Sequence, residues 1–180
     1  MEAGDVNTDH KDHECNAFVQ AAVERHQAPL LRYATRLLHG DTDRARDVVQ
    51  DTFVRLMGQP PSEVDGHLVE WLFTVCRNRT LDVLRKESRM RTFTEGQAER
   101  LTASEPRPGS ALERDETQSA LLGLIDHLPA NQQEVIRLKF QNGFSYKEIS
   151  RITSLSMGNV GFLIHTAVAR LRKEMAAQSK

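Results

Sequence analysis

The side chains best equipped for chemistry lie together in one stretch: Arg77, Asn78, Arg79, Arg85, Lys86 and Arg89 fall within residues 77–91, where six basic groups face two acids. Cations concentrated in this way make the stretch a strongly positive part of a chain whose overall charge is near zero. Trp71 and Phe73 lie just ahead of it, and aromatics on a helical stripe ordinarily serve a core. Cys76 in the same stretch reads as plain core.

A second set, Asp47, Gln50, Asp51 and Arg55 around Phe53, places acids and an amide beside an apolar stripe. Such a row suits a reversible helix-to-helix contact whose charges set specificity and on-rate. A simply solvated helix face has the same pattern. A third set, Ser156, Asn159, Phe162, His165, Thr166 and Arg170, lies on the last periodic segment. Enzymatic chemistry has no comparable support: no Gly-rich phosphate loop, no HExxH and no GxSxG occurs, and no cofactor is implied. His10, His13 and Cys15 lack a spacing partner, so no metal site is expected from them.

The elements that must position these residues are all helical. From Asn16 to Arg91 apolar residues recur at helical spacing, and strand signals are absent. Phe18, Ala22, Leu30, Tyr33, Ala34, Leu37 and Leu38 form the first stripe, with Pro29 breaking it into two short helices or kinking one, and Gly40 available to stop it. Asp41 stands at an N-cap ahead of a helix whose buried stripe is Ala45, Val48, Val49, Thr52, Phe53 and Leu56. Gly58, Pro60 and Pro61 end it, and a further helix is predicted over residues 67–89. Residues 92–114, with Pro106, Pro108, Gly96 and Gly109, read as a linker. Periodicity resumes at 115–175, opening on Ala120, Leu121, Leu124, Ile125 and Leu128. Within it Ser145 caps a short helix, Thr153 to Leu155 make a tight turn, and Ser156 caps a longer helix, the proportions of a helix-turn-helix.

Composition narrows the partners. The chain of 180 residues carries 24 basic against 25 acidic groups, yet residues 1–15 hold five acids and one Lys, so the near-neutral sum hides a polarised molecule. That acidic segment reads as a disordered arm. No run approaches the roughly 18 apolar residues of a membrane helix, and the N-terminus lacks a secretory pattern, so a soluble, cytoplasmic protein is expected. Cys15 and Cys76 do not suggest a disulfide framework.

Three blocks in fixed order, ARDVVQDTFVRL, EWLFTVCRNRTLDVLRK and LPANQQEVIRLKFQNGFSYKEIS, give a specific resemblance. Over residues 17–173 the chain resembles the bacterial extracytoplasmic-function sigma factors of RNA polymerase, in the sigma-70 superfamily. The resemblance implies an all-α protein with region 2 at residues 16–91 and region 4 at 115–175. It implies a non-enzymatic initiation factor that binds core RNA polymerase, at the clamp of the largest subunit and the flap of the second. Region 2 would then melt the minus 10 element and region 4 would hold the minus 35 element as duplex. On this match Asp47, Gln50, Asp51, Phe53 and Arg55 bind polymerase. Trp71, Arg77, Asn78, Arg79, Arg85, Lys86 and Arg89 serve the minus 10 element, where drawing a base from its stack costs a few kcal/mol: Asn78 is the candidate for base contact, the cations for phosphate, and Trp71 and Phe73 either stack on a base or belong to the core. Ser156, Asn159, Phe162, His165, Thr166 and Arg170 serve the minus 35. An anti-sigma partner is also implied. The chain departs from the family's pattern at the last helix, which has no Lys or Arg from Ser156 to Ala169. A stand-alone helix-turn-helix regulator and a partner-held adaptor, with Phe162 and Leu163 packed on another protein, remain as other readings.

Overall fold

The structure, a computed structural model, describes the backbone over residues 6–94 and 122–178, with side chains over 15–90 and 122–177. All regular elements among the described residues are α-helices. The chain divides into two compact units between Glu105 and Pro106.

In the first unit α1 spans Val6–Leu37, α2 Thr42–Met57, α3 Pro61–Val64 and α4 Leu68–Thr94, and α1, α2 and α4 pack on one another. The Asp41 side chain accepts a bond from the Arg44 N–H at 3.0 Å, which starts α2 where the cap was expected. Its buried stripe is Ala45, Val48, Val49, Thr52, Phe53 and Leu56, the set that helical spacing selects. Facing it are Leu30, Tyr33 and Ala34 from α1, and Leu72, Phe73, Cys76 and Thr80 from α4. Tyr33 and Phe73 meet with ring centroids 5.1 Å apart. Buried hydroxyls are satisfied within their own helices: Thr52 donates to the Val48 carbonyl and Thr80 to that of Cys76, both at 2.8 Å. Burial pushes the Cys76 thiol up to about 12, so it stays protonated and acts as an apolar core side chain.

The structure differs from expectation in several places. The backbone of residues 6–15, which the sequence places in an arm, lies within α1. Pro29 does not start a helix but lies inside α1. The lost backbone bond is offset by Leu30, Tyr33 and Ala34, which follow it directly into the core. The chain leaves α1 at His39 and Gly40, both at positive φ (55° and 94°), and the Gly40 N–H donates back to the Thr35 carbonyl at 2.8 Å. Pro61 opens the short α3 rather than only ending α2. Residues 92–94 continue α4, while the rest of the expected linker, with Ala120 and Leu121, lies outside the described residues.

In the second unit α5 is described over 122–126, followed by α6 (Ala130–Phe140), α7 (Tyr146–Thr153) and α8 (Met157–Gln178). Val135, Ile136 and Leu138 of α6 meet Ile149 and Ile152 of α7 and Val160, Ile164 and Ala167 of α8 in its core. Arg137 is also buried, at 5% exposure, and its Nη2 donates to Asp126. Its Nε and Nη1 are buried without a hydrogen-bond partner. Burial lowers the Arg137 pKa and the Asp126 carboxylate opposes that shift. Gln133 adds a clasp, donating to the carbonyls of Asp126 and Leu128 at 2.9 and 2.7 Å.

A buried cation held by one carboxylate has an asymmetric energetic consequence. Asp126→Ala leaves the guanidinium uncompensated and is expected to cost about 3 kcal/mol, whereas Arg137→Met, which removes the charge itself, costs far less. Urea unfolding of both variants checks the order; equal losses would contradict it.

Candidate functional site

Three helices carry the candidate residues, and on each the buried stripe dictates what faces outward. On α2, Asp47, Gln50, Val54 and Met57 follow one another at intervals of three and four residues opposite the core stripe. Asp47 and Gln50 are exposed, and Val54 and Met57 are 58% and 56% exposed. The sequence reading missed these two apolar side chains, although the same spacing that assigned the core stripe places them on the opposite face. Arg55 is exposed at one flank of this face and Asp51 half-buried. Phe53, which helical spacing places in the core stripe and the resemblance in the polymerase-binding set, is core at 8% exposure and supports the face from beneath.

On α4 the outward stripe runs Trp71, Asn78, Asp82, Arg85 and Arg89, five residues that share one face of the helix at intervals of seven, four, three and four. Trp71 is half-buried while Asn78, Arg85 and Arg89 are exposed. Phe73 takes the other possibility and is core. Arg85 has an acid within reach, Asp82 at 3.4 Å, but both side chains are largely exposed. Lys86 is exposed on one flank and Arg77 half-buried on the other.

Arg79 is not on this stripe. It turns toward α2, where its Nε donates to the Asp51 carboxylate at 2.7 Å. Two residues assigned from sequence to different partners are thus paired with each other. Both side chains are more than two-fifths exposed, so the pair contributes at most about 1 kcal/mol. Arg44 of α2 and Glu87 of α4 form a second ion pair between the same helices.

The third surface is on α7 and α8, between which the chain bends by 105°, within the range of a helix-turn-helix. Ser145 and Glu148 form a reciprocal capping box: the Glu148 N–H donates to Ser145 Oγ at 3.3 Å and the Ser145 N–H to Glu148 Oε2 at 2.7 Å. The turn is made by Ser154 in the left-handed region at φ 60°, and the Ser150 hydroxyl ties it by donating to the Leu155 carbonyl. Ser156 Oγ then accepts from the Asn159 N–H at 3.2 Å, which caps α8. Val160, Leu163, Ile164, Ala167 and Leu171 are buried, leaving Asn159, Phe162, His165 and Arg170 exposed and Thr166 half-buried.

The family comparisons agree with this architecture. A family model described as Sigma-70 region 2 matches residues 22–90, and one described as Sigma-70, region 4 matches residues 118–171. The chain is 33% identical to the ECF RNA polymerase sigma factor EcfG of Rhodopseudomonas palustris over 144 residues, covering 79% of this chain and 77% of that one. It is 34% identical to the ECF RNA polymerase sigma factor SigL of Mycobacterium tuberculosis over 165 residues, covering 87% and 88%. Among solved structures it is similar to the sigma factor RpoE of Bartonella quintana, crystallised with the anti-sigma factor NepR. That match has a TM-score of 0.64 and 27% identity, covering 89% of this chain and 97% of that one. The chain belongs to the extracytoplasmic-function RNA polymerase sigma factors, and its function is to direct transcription initiation at promoters. With both sigma regions matched, the stand-alone regulator is not the favoured reading. No single helix among the described residues is long and apolar enough to cross a membrane.

The capping box makes helix α7 pH-sensitive. Its hydrogen bonds to Ser145 hold the Glu148 carboxyl below its ordinary value. A carboxylate depressed by folding stabilises the fold above its unfolded pKa and loses that contribution as pH falls through the folded value. The stability difference between the wild type and Glu148→Gln should therefore be largest at neutral pH and shrink on acidification below the carboxylate range. A difference that grows toward low pH in thermal unfolding would contradict the capping role.

Proposed function

We propose that this sigma factor binds core RNA polymerase through the outward face of α2 and melts the minus 10 element with the outward stripe of α4. Asp47, Gln50, Asp51 and Arg55 supply polar specificity against the clamp of the largest subunit, and Val54 and Met57 supply apolar contact at its centre. On α4, Asn78 and Trp71 receive an unstacked base, while Arg85, Lys86, Arg89 and Arg77 hold phosphate. Region 4, residues 115–175, inserts the N-terminal turns of α8 into the minus 35 duplex and meets the flap of the second subunit. Arg170 at the far end of the same helix serves the phosphate backbone.

The observation that carries this reading is the α4 stripe. Helical geometry puts an aromatic ring, an amide and two arginines in one line, opposite a fully packed core. Such an arrangement binds and unstacks DNA and has no group poised for covalent chemistry, so the protein acts without catalysis of its own, in the cytoplasm where polymerase and promoters are. An anti-sigma protein is the expected inhibitor, supported by the anti-sigma complex of the similar Bartonella protein. It would cover the same faces of α2 and α8 that polymerase and DNA use.

Run-off transcription with purified bacterial core polymerase, on upstream regions from the source genome, tests the assignment. Transcripts from defined starts should appear only when the protein is added. Asp47→Lys with Met57→Asp should weaken co-elution with core at least tenfold without unfolding the exposed α2 face. Region 2 should dominate: Arg85→Ala with Lys86→Ala should lower open-complex formation far more than Phe162→Ala does. Intact initiation in the first pair alongside its loss in the second would reverse that ranking.

A further inference from the structure

The recognition helix of region 4 exposes an unusual reading surface. No Lys, Arg, Asp or Glu occurs from Ile152 to Ala169, while Lys147 on α7 and Arg170, Arg172 and Lys173 on α8 are exposed on either side of this interval. Much of the apolar character of the segment GFLIHTA is used in the core, since Leu163, Ile164 and Ala167 are buried. Outward on this helix is Phe162, at 65% exposure, in line with Gly158, His165 and Ala169, with Met157 and, on α7, Tyr146 also exposed. A Cβ added at Gly158 would meet nothing within 4 Å, so the face above the first turn is open. Thr166, beside Phe162, has its hydroxyl committed to the Phe162 carbonyl at 2.8 Å, and its methyl is the group left for a partner.

The stripe lies on the second helix of a helix-turn-helix, the element that enters the DNA major groove, and this position favours DNA over a protein partner. It suits a groove that an α-helix can enter, with phosphates at its edges for the flanking cations. Among the groups that base pairs present in the DNA major groove, the thymine C5-methyl is the apolar one. Resting on the region 4 assignment above, we infer that Phe162, with the Thr166 methyl beside it, selects minus 35 elements by the C5-methyl groups of thymine. Specificity in this region thus comes from apolar contact, in place of the arginine-to-guanine hydrogen bonds that the uncharged N-terminal turns of the helix cannot make.

The direct test changes only the methyl. A minus 35 element is selected from randomised duplex by transcription with the full-length protein and core polymerase, and each thymine is then replaced by deoxyuridine. At one or two positions the loss of a methyl should lower open-complex formation about fourfold, the factor corresponding to one buried methylene-sized group. Phe162→Ala should lower initiation on the thymine promoter to the same level and abolish the thymine–uracil difference. Phe162→Leu should retain part of it. Uracil promoters that work as well as thymine ones, or a difference that persists in Phe162→Ala, would overturn the inference. Core-dependent initiation without any minus 35 preference would also overturn it and assign Phe162 to a protein partner. Absence of core-dependent initiation altogether would instead remove the sigma assignment on which it rests.

Discussion

Leu30 of α1, Leu56 of α2, and Leu72 and Phe73 of α4 are essentially inaccessible to solvent, and their packing fixes the rotation of each helix about its own axis. Burying side chains of this size stabilises the fold by about 1.5–3 kcal/mol each, several times more than any exposed ion pair between the same helices. The rotation of a helix cannot be set for one face without setting the opposite one. Once Val48, Thr52 and Leu56 point inward, Asp47, Gln50, Val54 and Met57 must point outward. Once Leu72, Cys76 and Thr80 are buried, Trp71, Asn78, Arg85 and Arg89 form the outer line of α4. The surfaces proposed for polymerase and DNA in region 2 are the complement of its core.

Electrostatics then differentiates these surfaces. The chain is nearly neutral, yet α4 concentrates cations along its length while the outward face of α2 begins with Asp43 and Asp47. Arg79 with Asp51 and Arg44 with Glu87 join the two helices across their edges. Those pairs neutralise the boundary and leave the outer stripes with distinct character, apolar and mixed-charge on α2, where Asp43 pairs with Arg46, and aromatic-basic on α4. Region 4 follows another rule: residues 157–169 of its recognition helix carry no charge and its cations lie only toward the C-terminal end, so on the proposed reading shape and apolar contact supply what charge does not.

Much of this was legible before any coordinates. The α2 cap and its six core residues follow from helical spacing, because amphipathic helices of ordinary length leave little freedom in which face is buried. The capping box at Ser145 and Glu148 has the short-range Ser-x-x-Glu pattern of a helix start. Tertiary context decided the rest. Pro29 reads locally as a helix start, but the helix continues through it because core residues follow at once. The pairing of Arg79 with Asp51 spans 28 positions and has no local signature; each residue alone looks like a binding group. Val54 and Met57 fall outside the six-residue core stripe on helical spacing, and their exposure on the opposite face makes them surplus to the core.

If the outward faces of α2 and α4 serve different partners, the two can be separated. Permanganate reactivity of minus 10 thymines reports strand opening, and it can be measured on holoenzymes assembled with wild-type protein or with an Asn78→Ala/Arg89→Ala variant. The variant should assemble with core polymerase as the wild type does but leave the minus 10 thymines unreactive. Equal reactivity in both holoenzymes, or failure of the variant to assemble with core, would contradict that separation.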